Sequence, residues 1–124
     1  YSLTNTHVSN DVSTANRVVE YATTRGISLA LETGDFEACL KATNLIPNLK
    51  ICLDPAYIFS HSSNSLEDYI RAFDKQICYI HLYDVSANEG HYTPGSGDIP
   101  EDDWLFLLRW MRDTEFEGPA VFEM

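Results

Sequence analysis

The chain has 124 residues, 44% apolar and 22% charged, with a formal net charge of −11 from 8 basic against 19 acidic side chains. That length supports one domain with its own core. The acidic balance speaks against a large nucleic-acid or anionic-membrane surface, which would rest on Lys and Arg. No apolar run is long enough to span a bilayer, and no signal-peptide pattern of basic, apolar and small-residue regions is visible. Cys39, Cys52 and Cys78 are odd in number, and Cys52 and Cys78 fall inside apolar stretches. Reduced, buried thiols are the reading, with the cytoplasm as the expected compartment.

Residues 1–10 are polar, rich in Thr, Asn and Ser, and read as a loop. From Asp11 a periodic pattern predicts an amphipathic helix with Val12, Ala15, Val18, Val19 and Ala22 on one face. Ser9, Asn10 and Asp11 offer N-cap oxygens, and Gly26 supplies the stop. A first strand is predicted over Ile27–Glu32. Asp35 can cap a short helix through Phe36, Cys39 and Leu40. A second strand runs from Leu49 to Asp54, and residues 55–64 read as a loop. Ser65 with Asp68 resembles a capping box, opening a helix through Leu66, Tyr69, Ile70 and Phe73. The run Ile77–Tyr83 is a third buried strand, closed by His81 and Asp84 and followed by a polar, Gly-rich loop to Gly97. Pro100 fits the first position of a last helix, with Glu101, Asp102 and Asp103 in its opening turn. Trp104, Leu105, Leu107, Leu108 and Met111 are its expected buried face. Gly118 and Pro119 lead into a fourth strand ending in Glu123.

Helices alternating with strands imply a parallel sheet, and such sheets build their sites at the C-terminal ends of the strands. The four strands end in Glu32, Asp54, His81 and Glu123, a ligand set for one divalent metal ion. Residues two apart on a strand point the same way. Ala30 therefore goes with Glu32, Cys52 with Asp54, Tyr79 with His81, and Val121 with Glu123. The alternate positions, such as Leu29, Leu31, Ile51 and Leu53, are aliphatic and suit packing under helices. Taken singly, Glu32 and Asp54 read as caps for the following helices, and His81 as a core histidine. Their joint occurrence favours a metal site. Asp84 reads as a loop cap or orienting partner. Gly95-Ser96-Gly97 reads as a turn, with a phosphate cradle as the alternative. Trp104 and Trp110 read as packing residues, and His7 and His61 are assigned no role.

The motifs Leu31-Glu32, Leu53-Asp54-Pro-Ala-Tyr57, Ile80-His81-Leu-Tyr-Asp84, His91-Tyr-Thr-Pro-Gly-Ser-Gly97 and Phe122-Glu123 together resemble the xylose-isomerase-like barrel superfamily. Its members include sugar isomerases, epimerases and a branch of abasic-site endonucleases. The resemblance covers nearly the whole chain, as strands five to eight of a (β/α)8 TIM barrel. It implies that Glu32, Asp54, His81 and Glu123 bind one divalent metal, and that Glu32 and Glu123 also move protons on opposite faces of a bound sugar. It implies a substrate contact at His91 and at Tyr57. The family often has His at the position of Tyr57, and its absence weighs against a multi-zinc nuclease site.

Three carboxylates and one imidazole suit Mn²⁺ or Mg²⁺ better than a thiolate-rich site would, with Zn²⁺ or Co²⁺ as alternatives. The expected function is a metal-dependent isomerase or epimerase of a sugar or keto-sugar, acting through a metal-stabilised enediolate. The alternatives are a dehydratase of a cyclic polyol, an abasic-site phosphodiesterase, and a non-catalytic sugar-binding or scaffold barrel. The expected partner is a small sugar, with no nucleic acid and no membrane. A closed barrel needs about 250 residues and eight strands. Residues 1–124 are therefore expected to form the C-terminal half of a barrel within a longer polypeptide, needing the N-terminal half for completion. The exposed strand edges also invite association, which makes a homo-oligomer a further expectation.

Overall fold

The structure is a computed structural model that describes residues 5–87 and 90–123, with 5–11 in backbone only. Its elements in chain order are α1 (Asn5–Thr23), β1 (Ala30–Glu32), α2 (Phe36–Leu45), β2 (Lys50–Leu53), α3 (Pro55–His61), α4 (Leu66–Phe73), β3 (Ile77–Leu82), α5 (Glu101–Asp113) and β4 (Ala120–Phe122). The four strands lie in the order β1-β2-β3-β4, and every neighbouring pair is parallel. Sequential parallel strands joined by helices are the arrangement of half a (β/α)8 barrel.

The core lies between the sheet and its helices. Ile51, Leu53 and Ile80 from the two central strands are fully buried against Tyr69, Ile70, Phe73 and Leu107. The expected helix-facing residues Ile51, Leu53 and Ile80 are buried, but burial does not alternate strictly. Cys52 is buried between Ile51 and Leu53, and in β3 Ile77 is buried while Cys78 and Leu82 are only partly so. At the margins Ile27, Val121 and Phe122 remain exposed.

Several boundaries differ from expectation. Helix α1 begins at Asn5 and not at Asp11, because its polar first turns carry no hydrophobic period; the remainder of the expected loop, residues 1–4, lies outside the described residues. Val19 and Ala22 are buried, but Val18 is exposed, one residue off the buried stripe. Gly26, at φ +71°, ends the helix as expected. Its N–H donates to the Thr23 carbonyl and that of Ile27 to the Ala22 carbonyl. This Schellman pattern draws Ile27 into the cap and shortens β1. In α5, Trp104 and Leu107 are buried while Leu105 and Leu108 are exposed. Positions 104, 107 and 111 share one stripe, and 105 and 108 turn about 100° away from it. Pro100 is the cap residue and not the first helical one.

The clearest correction is α3, which replaces the loop expected over residues 55–64. Asp54 caps it, its side chain accepting from the Tyr57 N–H, and Pro55 opens it. An N-cap Asp followed by Pro pre-sets a first turn, but seven residues are too few for periodicity to register. The other two caps stand as read: Asp35 accepts from the Ala38 N–H, and Ser65 with Asp68 forms a full capping box. The three cysteines are free. Among the described residues, no helix is long and apolar enough to cross a membrane.

Tyr69 ties the helical layer to the strand ends. Its ring is buried, its hydroxyl donates to the Gly34 carbonyl at 2.6 Å, and it shares a second hydrogen bond with Ser62 Oγ at 3.1 Å. Tyr69→Phe in the full-length protein should cost roughly 1–2 kcal/mol by leaving the Gly34 carbonyl without its donor. The readout is a lower urea midpoint at unchanged slope. An unchanged midpoint would mean that water replaces the phenol.

Candidate metal and catalytic site

Parallel register decides which side chains meet. Glu32 pairs with Cys52, Leu53 with Ile80, and His81 with Val121. Asp54 therefore follows a strand pair that ends beside His81, and Glu123 lies two residues beyond His81's partner on the same face. The imidazole stands at the centre. His81 Nδ1 is 3.1 Å from Glu32 Oε1 and 3.7 Å from Asp54 Oδ2, and Nε2 is 3.4 Å from Glu123 Oε1.

The donor atoms of Glu32, Asp54 and His81 all lie within 4.8 Å of one another. Two carboxylates and an imidazole suit a hard divalent cation in chemistry, and their donors lie near enough for one ion to draw them together. Glu123 differs from the expected arrangement. It faces the other ring nitrogen, so the four residues surround the imidazole and do not all point at one spot.

Asp54 is buried and uses both oxygens. Oδ1 accepts the Tyr57 N–H at 2.9 Å, while Oδ2 accepts the Tyr83 hydroxyl at 3.1 Å and faces His81. Its own N–H donates to Thr33 Oγ1 at 2.9 Å. The helix-cap and cluster readings of Asp54 thus hold together, on different oxygens. Glu32 is more than half exposed and Glu123 about a third, whereas Asp54 is nearly inaccessible.

Burial first, then the charge and hydrogen bond of Asp54, raise the Tyr83 phenol above its ordinary value and keep it a donor. Burial, then Glu32 and Asp54, push the Cys52 thiol to about 12. It remains protonated at neutral pH and offers no thiolate beneath the carboxylates.

Tyr57 and His91 lie beside the cluster. They line a cleft of about 540 Å³ between α3 and the β3–α5 loop, together with Phe59, His61, Tyr83 and Asp98. Two ring pairs wall it. Tyr83 stacks on His91 at 4.0 Å between centroids, and Tyr57 on His61 at 4.5 Å. His91 Nδ1 also meets the Glu123 carbonyl at 3.1 Å. Sequence reasoning missed Tyr83 and Thr33 and gave His61 no role. Tyr83 was findable, since it lies two residues beyond His81 and so on the same face. His61 needed α3, which sets it one turn after Tyr57. Thr33 carried no signal.

Asp84 has the opposite parity and is fully buried under the loop. Oδ1 accepts from the Val85 and Ile99 N–H groups at 2.9 and 3.1 Å, and Oδ2 from Gly95 N–H at 2.9 Å and Trp104 Nε1 at 3.3 Å. Its backbone exchanges two hydrogen bonds with Tyr92. A Cβ at Gly97 would collide with this carboxylate and the Val85 carbonyl, which is why Gly stands there. Burial pushes the Asp84 carboxyl up, but the N–H groups of Ile99, Gly97, Val85 and Gly95 outweigh it and hold the group below its ordinary value. The Gly-rich loop therefore directs its donors at an anion of the chain itself.

The family model described as the xylose isomerase-like TIM barrel matches residues 12–124. The chain superposes on a xylose isomerase domain protein from Planctomyces limnophilus with a TM-score of 0.75 and 22% identity, over 98% of this chain and 47% of that one. Against the probable 3-DHS dehydratase AsbF, involved in petrobactin synthesis, from Bacillus anthracis, the TM-score is 0.82 at 17% identity, over 99% and 52%. Against D-psicose 3-epimerase from Clostridium cellulolyticum H10 it is 0.74 at 18%, over 99% and 44%. At such identities the likeness is one of fold, and the chain spans about half the length of these structures. No curated protein matches by sequence.

Asp84→Asn in the full-length protein should destabilise by roughly 2–4 kcal/mol, because one oxygen that accepts two N–H groups becomes an NH₂ that accepts none. The folded Asp84 value is depressed below 3.8. Its contribution is therefore complete above about pH 4 and is lost only as pH falls further. The variant should show a shallower loss of stability below about pH 4 than wild type in acid titrations followed by circular dichroism. Parallel acid limbs would contradict the hub.

Proposed function

The chain belongs to the xylose isomerase-like TIM barrel family, and from that premise we propose that the full-length protein is a divalent-metal-dependent isomerase or epimerase of a sugar or keto-sugar. The observation that carries this reading is the placement of two accessible glutamates on different nitrogens of one imidazole, at 3.1 and 3.4 Å. Moving a proton from a carbon next to a carbonyl and returning it to the other face needs two bases on two sides. Glu32 and Glu123 are free to do so. Asp54 is not, because its oxygens are held by the Tyr57 N–H and the Tyr83 hydroxyl.

Glu32, Asp54 and His81 would hold the ion, and Glu123, which faces the other ring nitrogen, would join them only by turning its side chain toward the same spot. When bound, a divalent cation supplies Lewis-acid stabilisation of the negative charge that develops on a substrate oxygen. Asp54 gives the cluster a fixed corner, since its carboxylate is oriented by α3 and Tyr83. His81 keeps the two glutamates apart. Tyr57 and His91 border the space beside them and would contact the sugar.

The epimerase and dehydratase neighbours share this fold. Dehydration of a cyclic polyol starts from the same proton abstraction, so product analysis separates it from epimerisation. A multi-zinc nuclease is disfavoured because Tyr57 offers no ligand nitrogen and stacks on His61.

Glu32→Gln and Glu123→Gln in the full-length protein should each lower turnover of a keto-hexose by about 10²–10⁴-fold. Each should also slow exchange of the substrate α-proton with deuterated solvent, followed by NMR. Turnover left intact by either change removes that residue from the proton-transfer pair. Sugar binding without α-proton exchange in wild type would mark a non-catalytic barrel.

A further inference from the structure

We propose that Tyr83 is a positioning residue for both sides of the cluster: its hydroxyl fixes the carboxylate of Asp54, and its ring, through His91, fixes the main chain at Glu123. The first half rests on the metal reading above, and the second does not. Tyr83 itself belongs neither to the ligand set nor to the proton-transfer pair.

The placement follows from the chain at the end of β3. Tyr83 is the first residue past the strand and two beyond His81, so it keeps the face of the cluster while Asp84 turns to the other. Asp84 and Tyr92 form an antiparallel bridge, each N–H donating to the other's carbonyl at 2.8 and 2.9 Å. The residues flanking such a bridge point away from the bridged pair, and diagonal neighbours lie within reach of aromatic side chains. Tyr83 and His91 are such a diagonal pair. Their rings stack at 4.0 Å between centroids, with 21° between their planes.

Two contacts run outward from this one side chain. Toward β2, the Tyr83 hydroxyl donates to Asp54 Oδ2 at 3.1 Å, the oxygen that faces His81. Oδ1 of the same carboxylate accepts the Tyr57 N–H, so the two donors together fix its plane. Toward β4, the His91 ring held against Tyr83 meets the Glu123 carbonyl through Nδ1 at 3.1 Å. Glu123 lies one residue past β4, and its own N–H reaches the Leu82 carbonyl only at 3.4 Å. The His91 contact is therefore a substantial part of what holds it. A phenol supplies a donor at its tip and a flat face along its ring, and the buried Tyr83 uses both.

The test uses full-length protein and separates the two contacts. Tyr83→Phe keeps the ring and removes the donor, while Tyr83→Leu removes both. Mn²⁺ dissociation constants are measured by calorimetry, and hydrogen exchange at the Glu123 amide is followed by NMR in metal-free protein. Tyr83→Phe should weaken Mn²⁺ binding by about 10–100-fold, the range for residues that orient a metal ligand, and leave Glu123 exchange as in wild type. Tyr83→Leu should weaken Mn²⁺ binding at least as much and speed Glu123 exchange by about tenfold or more. His91→Leu, a change at an exposed position, should speed that exchange as well, which decides the ring's role should Tyr83→Leu fail to fold. A merely structural role would move both readouts together in Tyr83→Phe. Unchanged Mn²⁺ affinity in Tyr83→Phe overturns the hydroxyl's role, and unchanged Glu123 exchange in His91→Leu overturns the ring's. Wild type that binds no Mn²⁺ overturns the metal reading and the hydroxyl's role with it, while the exchange measurement still decides the ring's.

Discussion

A carboxylate taken out of water must have its lone pairs answered by donors, and Asp54 meets that condition in a way that fixes the rest of the site. One oxygen is bound by the first turn of α3 and the other by the Tyr83 hydroxyl. The backbone N–H of the same residue is bound by Thr33, which follows Glu32 directly. Three strands are thereby tied together at their C-terminal ends through one residue. His81 lies against that anchor, and the two glutamates lie against His81. The accessible carboxylates owe their positions to the buried one.

Nine of the 19 acidic residues fall into three kinds of work. Asp35, Asp68 and the Glu101–Asp103 run answer helix N-termini. Asp84 answers the amides of Val85, Gly95 and Ile99 and so ties three points of the β3–α5 connection to the end of β3. Glu32, Asp54 and Glu123 gather around one imidazole, where carboxylates in the absence of a cation repel one another. This cluster is the part that carries chemistry.

Much of this was legible in the sequence, for physical reasons. Polar residues at the ends of apolar runs are expensive unless they serve a site, so Glu32, Asp54, His81 and Glu123 stood out. Strand parity put them on one face, and the structure brings them around His81. Asp84 was readable as a loop anchor because its parity turns it away from that face. What escaped was short or three-dimensional. Helix α3 is too brief for a period, so the His61–Tyr57 stack stayed hidden. Val18, Leu105 and Leu108 are apolar residues adjacent to a buried stripe, and sequence pattern does not separate the stripe from its margin. Glu123 meeting the second nitrogen of His81 is a matter of side-chain approach that spacing does not encode.

The account stands on one claim, that the cluster around His81 is built to hold a divalent cation. Thermal unfolding of the full-length protein with added Mn²⁺ tests it without knowledge of the substrate. At about 100 times the dissociation constant, binding contributes about 2.7 kcal/mol to the native state, a rise of several degrees in midpoint. EDTA should reverse that rise, and His81→Ala should remove most of it. An equal Mn²⁺ response in wild type and His81→Ala would contradict the claim.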